Sequence, residues 1–283
     1  MNYLINGTSS IVGNNIAKFI IQKKKFIYCY YNKIKPKNLK SNYSLLKKNN
    51  FEKIYSINKK VDCLVFCAID KSKNYTYKNI TFLKKLCNFI KLKKIDKVIY
   101  ISTMAVYGVP KKTFISEKTR PRLLGKYGKI KLKQEKILKQ LSINSHCQVT
   151  VLRLPGVAGK KRTGIFLSNI LDKVKKNEIL SYKNPKANFN NLIYEKDLAE
   201  IVYKISKNKK KYKFEVFNLG STKPILLRSV IKRIRKHFNH SNSVIETNRN
   251  GKSFVVDTKK FEKTYFKLKS TSNSLNNFIK CNS

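Results

Sequence analysis

The chain has 283 residues, 41% hydrophobic and 11% aromatic. That suffices to bury a sizeable core in one large domain or two modest ones, and it excludes a wholly disordered chain. The formal net charge is +48, yet only 8 of the 63 basic residues are Arg.

A basic excess of this size ordinarily suggests nucleic acid or an anionic surface. Here it is mostly lysine and runs along the whole chain, with Asn, Ile, Phe and Tyr abundant and Trp absent. That is the signature of an AT-rich coding bias. Arg, which makes bidentate base contacts, is scarce, so nucleic acid is expected to bind only nonspecifically, through the field at low salt. No stretch reaches 18 uncharged apolar residues, which argues against a membrane span. The start, MNYLINGTSSIVG, lacks the basic region and long apolar run of a secretory signal. The expected location is cytoplasmic.

In chain order, Asn2 to Asn6 reads as a short apolar strand and Ile11 to Lys24 as a helix with Ile16, Phe19 and Ile20 on one face. Phe26 to Tyr31 is a second strand. Val61 to Ala68 is almost wholly apolar, as a central parallel strand is. Asn79 to Leu92 reads as a helix, Val98 to Thr103 as a strand, Tyr127 to Leu141 as a helix and Val149 to Leu154 as a strand. This alternation predicts βαβ units: an α/β, Rossmann-type, doubly wound parallel sheet over residues 1–155. After Pro155 the pattern loosens. Gly156, Gly159 and Gly164 punctuate a loop, and a helix spans about Ile165 to Lys176. Residues 178–196 look irregular. Asp197 to Ser206 reads as a helix, Phe214 to Leu219 as a strand and Leu226 to Phe238 as a helix, and the polar last 40 residues hold one more helix. Residues 156–283 are therefore expected to form mainly a smaller substrate-binding region, with segments of about 190–220 returning to the first domain.

The six cysteines contain no CxxC pair and several lie in apolar runs, which predicts reduced, buried thiols. His237 and His240, three apart in a basic stretch, read as a solvated face rather than a metal site.

The chemistry concentrates at three places. The strand Tyr3–Asn6 runs into GTSSIVG and then a helix. A glycine turn there lets backbone amides approach a pyrophosphate, and the helix N-terminus adds its positive end. Gly7 makes the turn, and Gly13 allows close helix–strand packing. KVIYISTMAVYG, residues 97–108, ends a strand at Thr103, and Tyr127-Gly-Lys-Ile-Lys131 opens the helix that follows.

At these residues the chain resembles the extended short-chain dehydrogenase/reductase family, the NAD(P)-dependent sugar-nucleotide epimerases, dehydratases and reductases. The family's GxxGxxG is here Gly7, Ser10 and Gly13, with a serine as the middle residue; Ser10 is expected to offer its amide and hydroxyl to phosphate. VDCLVFCA, ending at Ala68, is similar to the strand beside the cofactor, and Asn79 to the residue that begins the next helix. VLRLPGVAG, FNNLIYEKDLAEIV and VFNLGS continue the likeness over nearly the whole chain.

The motif YxxxK alone carries almost nothing here. Lysine is about one residue in five, and Tyr31/Lys35, Tyr43/Lys47, Tyr55/Lys59 and Tyr107/Lys111 match as well. Tyr127/Lys131 is singled out by context: it opens a helix, follows the Thr103 strand and precedes VLRLP.

The resemblance implies catalysis by Thr103, Tyr127 and Lys131. It implies cofactor contacts at Gly7, Ser10, Ile11, Val12 and Gly13, at Asn32 and Lys33, at Ala68 and Pro155, and at Tyr127 and Lys131. A phenol near pKa 10 is a poor base at neutral pH. An ammonium one helical turn away favours the phenolate. Thr103 would hydrogen-bond the reacting oxygen.

Departures narrow the reaction. Met104-Ala105 replaces the acid pair of the 4,6-dehydratases, leaving oxidation or reduction at one carbon. Gly156 and Ala158 stand where the family commonly has Asn and Tyr, so the substrate contacts differ. The second strand ends in Asn32 and Lys33 without an acid, which favours NADP over NAD.

The expected function is an NAD(P)-dependent epimerase or oxidoreductase on a nucleotide-activated sugar, in polysaccharide biosynthesis, with a homodimer implied by the family's habit of pairing two helices per subunit. The alternatives are a ketoreductase on another carbonyl substrate and a non-catalytic Rossmann cofactor sensor or RNA-binding protein.

Overall fold

Strand and helix alternate from the first residues of the computed structural model, which describes residues 1–31, 34–47, 51–70, 75–110, 112–122, 124–160, 164–210, 212–247 and 253–283. The first elements are β1 (Tyr3–Asn6), α1 (Ile11–Gln22), β2 (Ile27–Tyr31), β3 (Tyr43–Lys47), β4 (Cys63–Phe66), α2 (Tyr75–Leu92) and β5 (Lys97–Thr103). Next come β6 (Phe114–Ile115), α3 (Lys126–Ile143), β7 (Gln148–Leu154), β8 (Gly156–Ala158), α4 (Phe166–Lys175), β9 (Leu180–Lys183), β10 (Asn188–Phe189) and β11 (Leu192–Tyr194). The chain ends with α5 (Glu195–Lys207), β12 (Phe214–Asn218), β13 (Ile225–Leu226), α6 (Leu227–His237), β14 (Val244–Thr247), β15 (Val255–Val256), α7 (Lys259–Thr264) and α8 (Thr271–Lys280).

Seven strands form one parallel sheet in the order β12-β7-β5-β4-β1-β2-β3, the Rossmann-like α/β fold that the alternation predicts. The chain divides into two units. The first comprises residues 1–106, 124–153 and 196–217; the second comprises 107–123, 154–195 and 218–283.

In the first unit the apolar strands meet in register. Leu4, Leu64 and Val98 lie side by side across β1, β4 and β5, all fully buried. They join Leu83, Phe89 and Ile90 of α2 and Leu138 and Leu141 of α3 in one core. The strand order reverses between β1 and β4. That is the switch point where an open α/β sheet leaves a crevice at its strand ends. The outward faces of α2 and α3 carry exposed Lys78, Lys84, Lys85 and Lys91, and Lys129, Lys133, Lys136 and Lys139.

The second unit has its own core, built from α4, α6 and α8 with Leu180, Tyr182 and Leu192. Its strands form four short pairs: β8 with β11, β9 with β14, β6 with β15, all parallel, and β10 with β13, antiparallel.

The sequence reading missed one strand and misplaced two residues. The edge strand β3, YSLLK, buries only Leu46 and so lacks a strand's apolar pattern. Asn79 does not begin α2, which starts four residues earlier; its side chain instead clamps the backbone of Asp70, accepting from its N at 2.9 Å and donating to its O at 2.8 Å. His240 is not on a solvated face. It is buried, accepts at Nδ1 from Arg235 Nε (3.0 Å), and so carries its proton on Nε2, 2.8 Å from Glu178 O. All six cysteines are free thiols, and Cys29, Cys63, Cys87 and Cys147 are buried.

Leu64→Ala is expected to cost about 2–5 kcal/mol, because the strand centre cannot collapse onto the space left. Leu92→Ala, at a solvent-exposed position of α2, is expected to stay within about 0.5 kcal/mol. Urea unfolding of the two variants checks both.

Candidate active site

The switch point is built by backbone packed on backbone. Asn6, at the end of β1, is buried, and its Oδ1 accepts from Ala68 N (3.3 Å), joining the ends of β1 and β4. Gly7 follows at φ +87°, and a Cβ there would lie 2.8 Å from Ala68 N. A Cβ on Gly13 would lie 2.3 Å from Gly7 O. Only glycine lets the first turn of α1 sit this close to the strand end.

Ser10 is the N-cap of α1. Its N and Oγ both donate to Gly7 O (3.0 and 2.8 Å), and Oγ accepts from Gly13 N (3.0 Å). Its amide and hydroxyl are thus turned into the loop and not outward to a phosphate, contrary to what the resemblance implies. The amides of Ile11 and Val12 take no partner among the described residues, as the first positions of a helix leave them. Two free amides at the positive end of a helix fit the pyrophosphate of a dinucleotide.

The second part of the site joins β5 to α3. A Cβ on Gly128 would fall 2.2 Å from Ala105 O, so this glycine brings the start of α3 onto the turn after Thr103. Thr103 Oγ1 accepts from Ala105 N (3.2 Å), and among the described residues its hydroxyl proton has no acceptor. It therefore remains available as a donor. Ser102, the neighbouring hydroxyl, is buried and donates to Glu135 Oε1 (2.5 Å).

Tyr127 is 38% exposed, whereas Lys131, one turn on along the same face, is 2% exposed. Lys131 Nζ donates to Ile101 O (2.8 Å) and lies 4.7 Å from the centroid of the Tyr100 ring. Among the described residues it forms no ion pair. Burial pushes its ammonium down to about 8, and Cys67 and Glu135 partly oppose that shift. Burial, with the through-space action of Glu135 and Tyr127, also holds the Tyr100 phenol well above its ordinary range.

Beneath Lys131 lies a group that the sequence reading missed. Arg153 of β7 grips Glu135 of α3 with Nε to Oε1 (3.2 Å) and Nη2 to Oε2 (2.6 Å), both side chains almost wholly buried. Tyr100 Oη donates to Gln134 Oε1 (2.7 Å) beside it. The signal was present: Arg153 is one of few arginines and interrupts the apolar strand VLRL, where a charge must find a partner.

Of the residues singled out in the sequence, Gly7, Ser10, Ile11, Val12, Gly13, Ala68, Thr103, Tyr127 and Lys131 all belong to the first unit, and Pro155 belongs to the second, between β7 and β8. Asn32 and Lys33 lie outside the described residues. No helix among the described residues is long and apolar enough to cross a membrane, and no His, Cys, Asp and Glu there group into a metal site.

The profile of the NAD dependent epimerase/dehydratase family matches residues 3–220. An uncharacterized protein of Methanocaldococcus jannaschii is 24% identical over 84% of this chain and 81% of its own length. One of Sinorhizobium fredii is 29% identical over 50% of this chain, a match spanning only 35% of that protein. Among solved structures, the UDP-glucose 4-epimerase of Thermotoga maritima, with UDP-glucose, superposes with a TM-score of 0.83 at 18% identity, over 99% of this chain and 98% of that one. The UDP-glucuronic acid 4-epimerase of Bacillus cereus, in complex with UDP-glucuronic acid and NAD, gives a TM-score of 0.82 at 20% identity, over 99% and 98%.

The depressed Lys131 has a signed consequence for stability. Between about 8 and its unfolded value of 10.5 the unfolded chain holds the proton and the folded chain does not. Folding stability from this group therefore rises with pH across that window. Relative to Lys131→Met, the wild type is expected to gain about 2–3 kcal/mol between pH 7 and pH 10. Denaturant unfolding of both proteins at the two pH values measures it.

Proposed function

The chain belongs to the NAD dependent epimerase/dehydratase family, and we propose that it catalyses oxidation or reduction at one carbinol carbon of a nucleotide-activated sugar, as an epimerase or a one-way oxidoreductase. The observation that carries this reading is a buried ammonium, Lys131, with no ion pair among the described residues, one turn beyond half-exposed Tyr127, with the Thr103 hydroxyl at the adjoining strand end.

When bound, NAD or NADP supplies the hydride acceptor or donor. The Ile11 and Val12 amides, the Gly7–Gly13 turn and Ala68 are the groups that would hold it. The missing acid after β2 supports NADP, and the NAD-bound Bacillus relative supports NAD. Thr103 donates to the reacting oxygen and fixes its position. Tyr127 takes the carbinol proton as the carbon is oxidised and returns it on reduction. Lys131 supports the phenolate that this needs at neutral pH. Met104 and Ala105 offer no acid or base for removing a neighbouring proton, which supports chemistry confined to one carbon.

The Gly156 and Ala158 departures favour, as a second reading, a reductase for a carbonyl substrate other than a nucleotide sugar. Turnover trials with UDP-glucose, UDP-N-acetylglucosamine and UDP-glucuronic acid, against simple ketones with NADPH, separate the two.

Tyr127→Phe is expected to lower kcat by about 10²–10⁴-fold while NADH and NADPH still bind. Nicotinamide fluorescence follows that binding, since the chain has no Trp to serve as energy donor. Full turnover in Tyr127→Phe would overturn the reading, and failure of the folded protein to bind either dinucleotide would move it to a non-catalytic role.

A further inference from the structure

We propose that Arg153 is a positioning residue for the Tyr127–Lys131 pair: by holding the Glu135 carboxylate, it keeps that carboxylate from pairing with Lys131 and so leaves the ammonium's charge directed at Tyr127. The inference rests on the reading of Tyr127 as the proton-transfer group, and it goes beyond that reading by assigning a role to a pair far from any substrate.

The argument is one of charge and place. Glu135 is one helical turn beyond Lys131 on α3, the spacing at which a carboxylate and an ammonium ordinarily meet. In a buried setting that pairing would be strong. It is not made. Glu135 is turned to β7 and β5, where Arg153 binds both of its oxygens and Ser102 donates to Oε1. Lys131 is left with a neutral carbonyl, Ile101 O, and the face of Tyr100. The cluster thus holds two cations and one anion, and the unmatched positive charge is on Lys131, the residue one helical turn from Tyr127.

The charged groups acting on Lys131 are Cys67 after β4 and Glu135 of α3; the Tyr100 ring of β5 lies against its Nζ, Tyr127 is one turn before it on α3, and Arg153 of β7 stands behind Glu135. Burial pushes the Cys67 thiol up to about 12 and holds the Tyr100 phenol well above its ordinary range. Neither supplies a negative charge near neutral pH, so Glu135 is the one group in this set that can cancel Lys131.

A direct test titrates Tyr127 without needing a substrate. The full chain is labelled with ¹³Cζ-tyrosine and ¹³Cε-lysine, the Tyr127 and Lys131 signals are assigned by their loss in Tyr127→Phe and Lys131→Met, and because Lys131 itself titrates at about 8 the Tyr127 midpoint is read with that of Lys131 as a coupled pair. In Arg153→Met, Glu135 is free to turn to Lys131, and the midpoint is expected to rise by about one pH unit or more. In Glu135→Gln, with both cations kept, it is expected to fall. In the double variant Glu135→Gln/Arg153→Met it is expected to return to the wild-type value, and Arg153→Lys to stay close to it.

A merely structural pair would move the midpoint the same way in all of them, or not at all, and either outcome overturns the proposal. Should Arg153→Met fail to fold, Glu135→Gln and the double variant carry the test: a midpoint equal to wild type in both overturns it. The titration does not depend on turnover. A failed titration beside an inactive Tyr127→Phe therefore overturns this inference alone, whereas an active Tyr127→Phe overturns the functional reading.

Discussion

A carboxylate buried between an arginine and a serine fixes where α3 lies on the sheet. Glu135 binds Arg153 of β7 and Ser102 of β5 at once, so the helix is tied to two adjacent strands at one point. Leaving either charge without its partner would cost several kcal/mol, on the order of 3–5. Apolar residues of the same shape would nevertheless hold the helix about as well. Stability alone therefore does not account for a charged tie at this place. What the arginine does, given a carboxylate at this place, is hold it to β7 and away from Lys131.

The same contrast separates the cations that matter from the +48 background. Among the described residues, Lys131 and Arg153 are the buried lysine and arginine, while the other lysines of α2 and α3 are exposed. A solvated lysine is screened within about 10 Å at ordinary salt, so its identity is free to follow coding bias. A buried one must be matched by hydrogen bonds, ring faces or a carboxylate.

The α/β architecture was legible in the sequence because β4 and β5 are buried on both faces and read as unbroken apolar runs, and because α1 and α3 follow strands at βαβ spacing. The edge strand β3 was not legible: one buried residue in five leaves no pattern to read. The positions of Thr103 and Tyr127 were legible from context, although YxxxK by itself was not informative against so much lysine. Asn79 and His240 were misread for one reason. Each binds backbone outside its own helical pattern, Asn79 that of Asp70 nine residues before it and His240 that of Glu178 in another element, and local pattern carries no record of such a partner. Glu135 lay hidden for the opposite reason: an acid one turn after a lysine on a helix looks like a surface pair, and only the sheet reveals that it faces inward.

Ser10 shows which part of the glycine turn is constrained and which is not. A side chain is excluded at 7 and 13, where a Cβ would strike the backbone of Ala68 or Gly7 within 3 Å. Ser10 is exposed, and its Cβ meets no such barrier. Its hydroxyl then does what serine does at a helix start, satisfying an amide that the helix leaves bare. The amide satisfied belongs to Gly13, while those of Ile11 and Val12, one and two residues beyond the cap, stay open. The substitution thus trades one free donor for a more rigid turn. The remaining donors are held in a fixed direction before any anion arrives, which lowers the ordering cost of binding one.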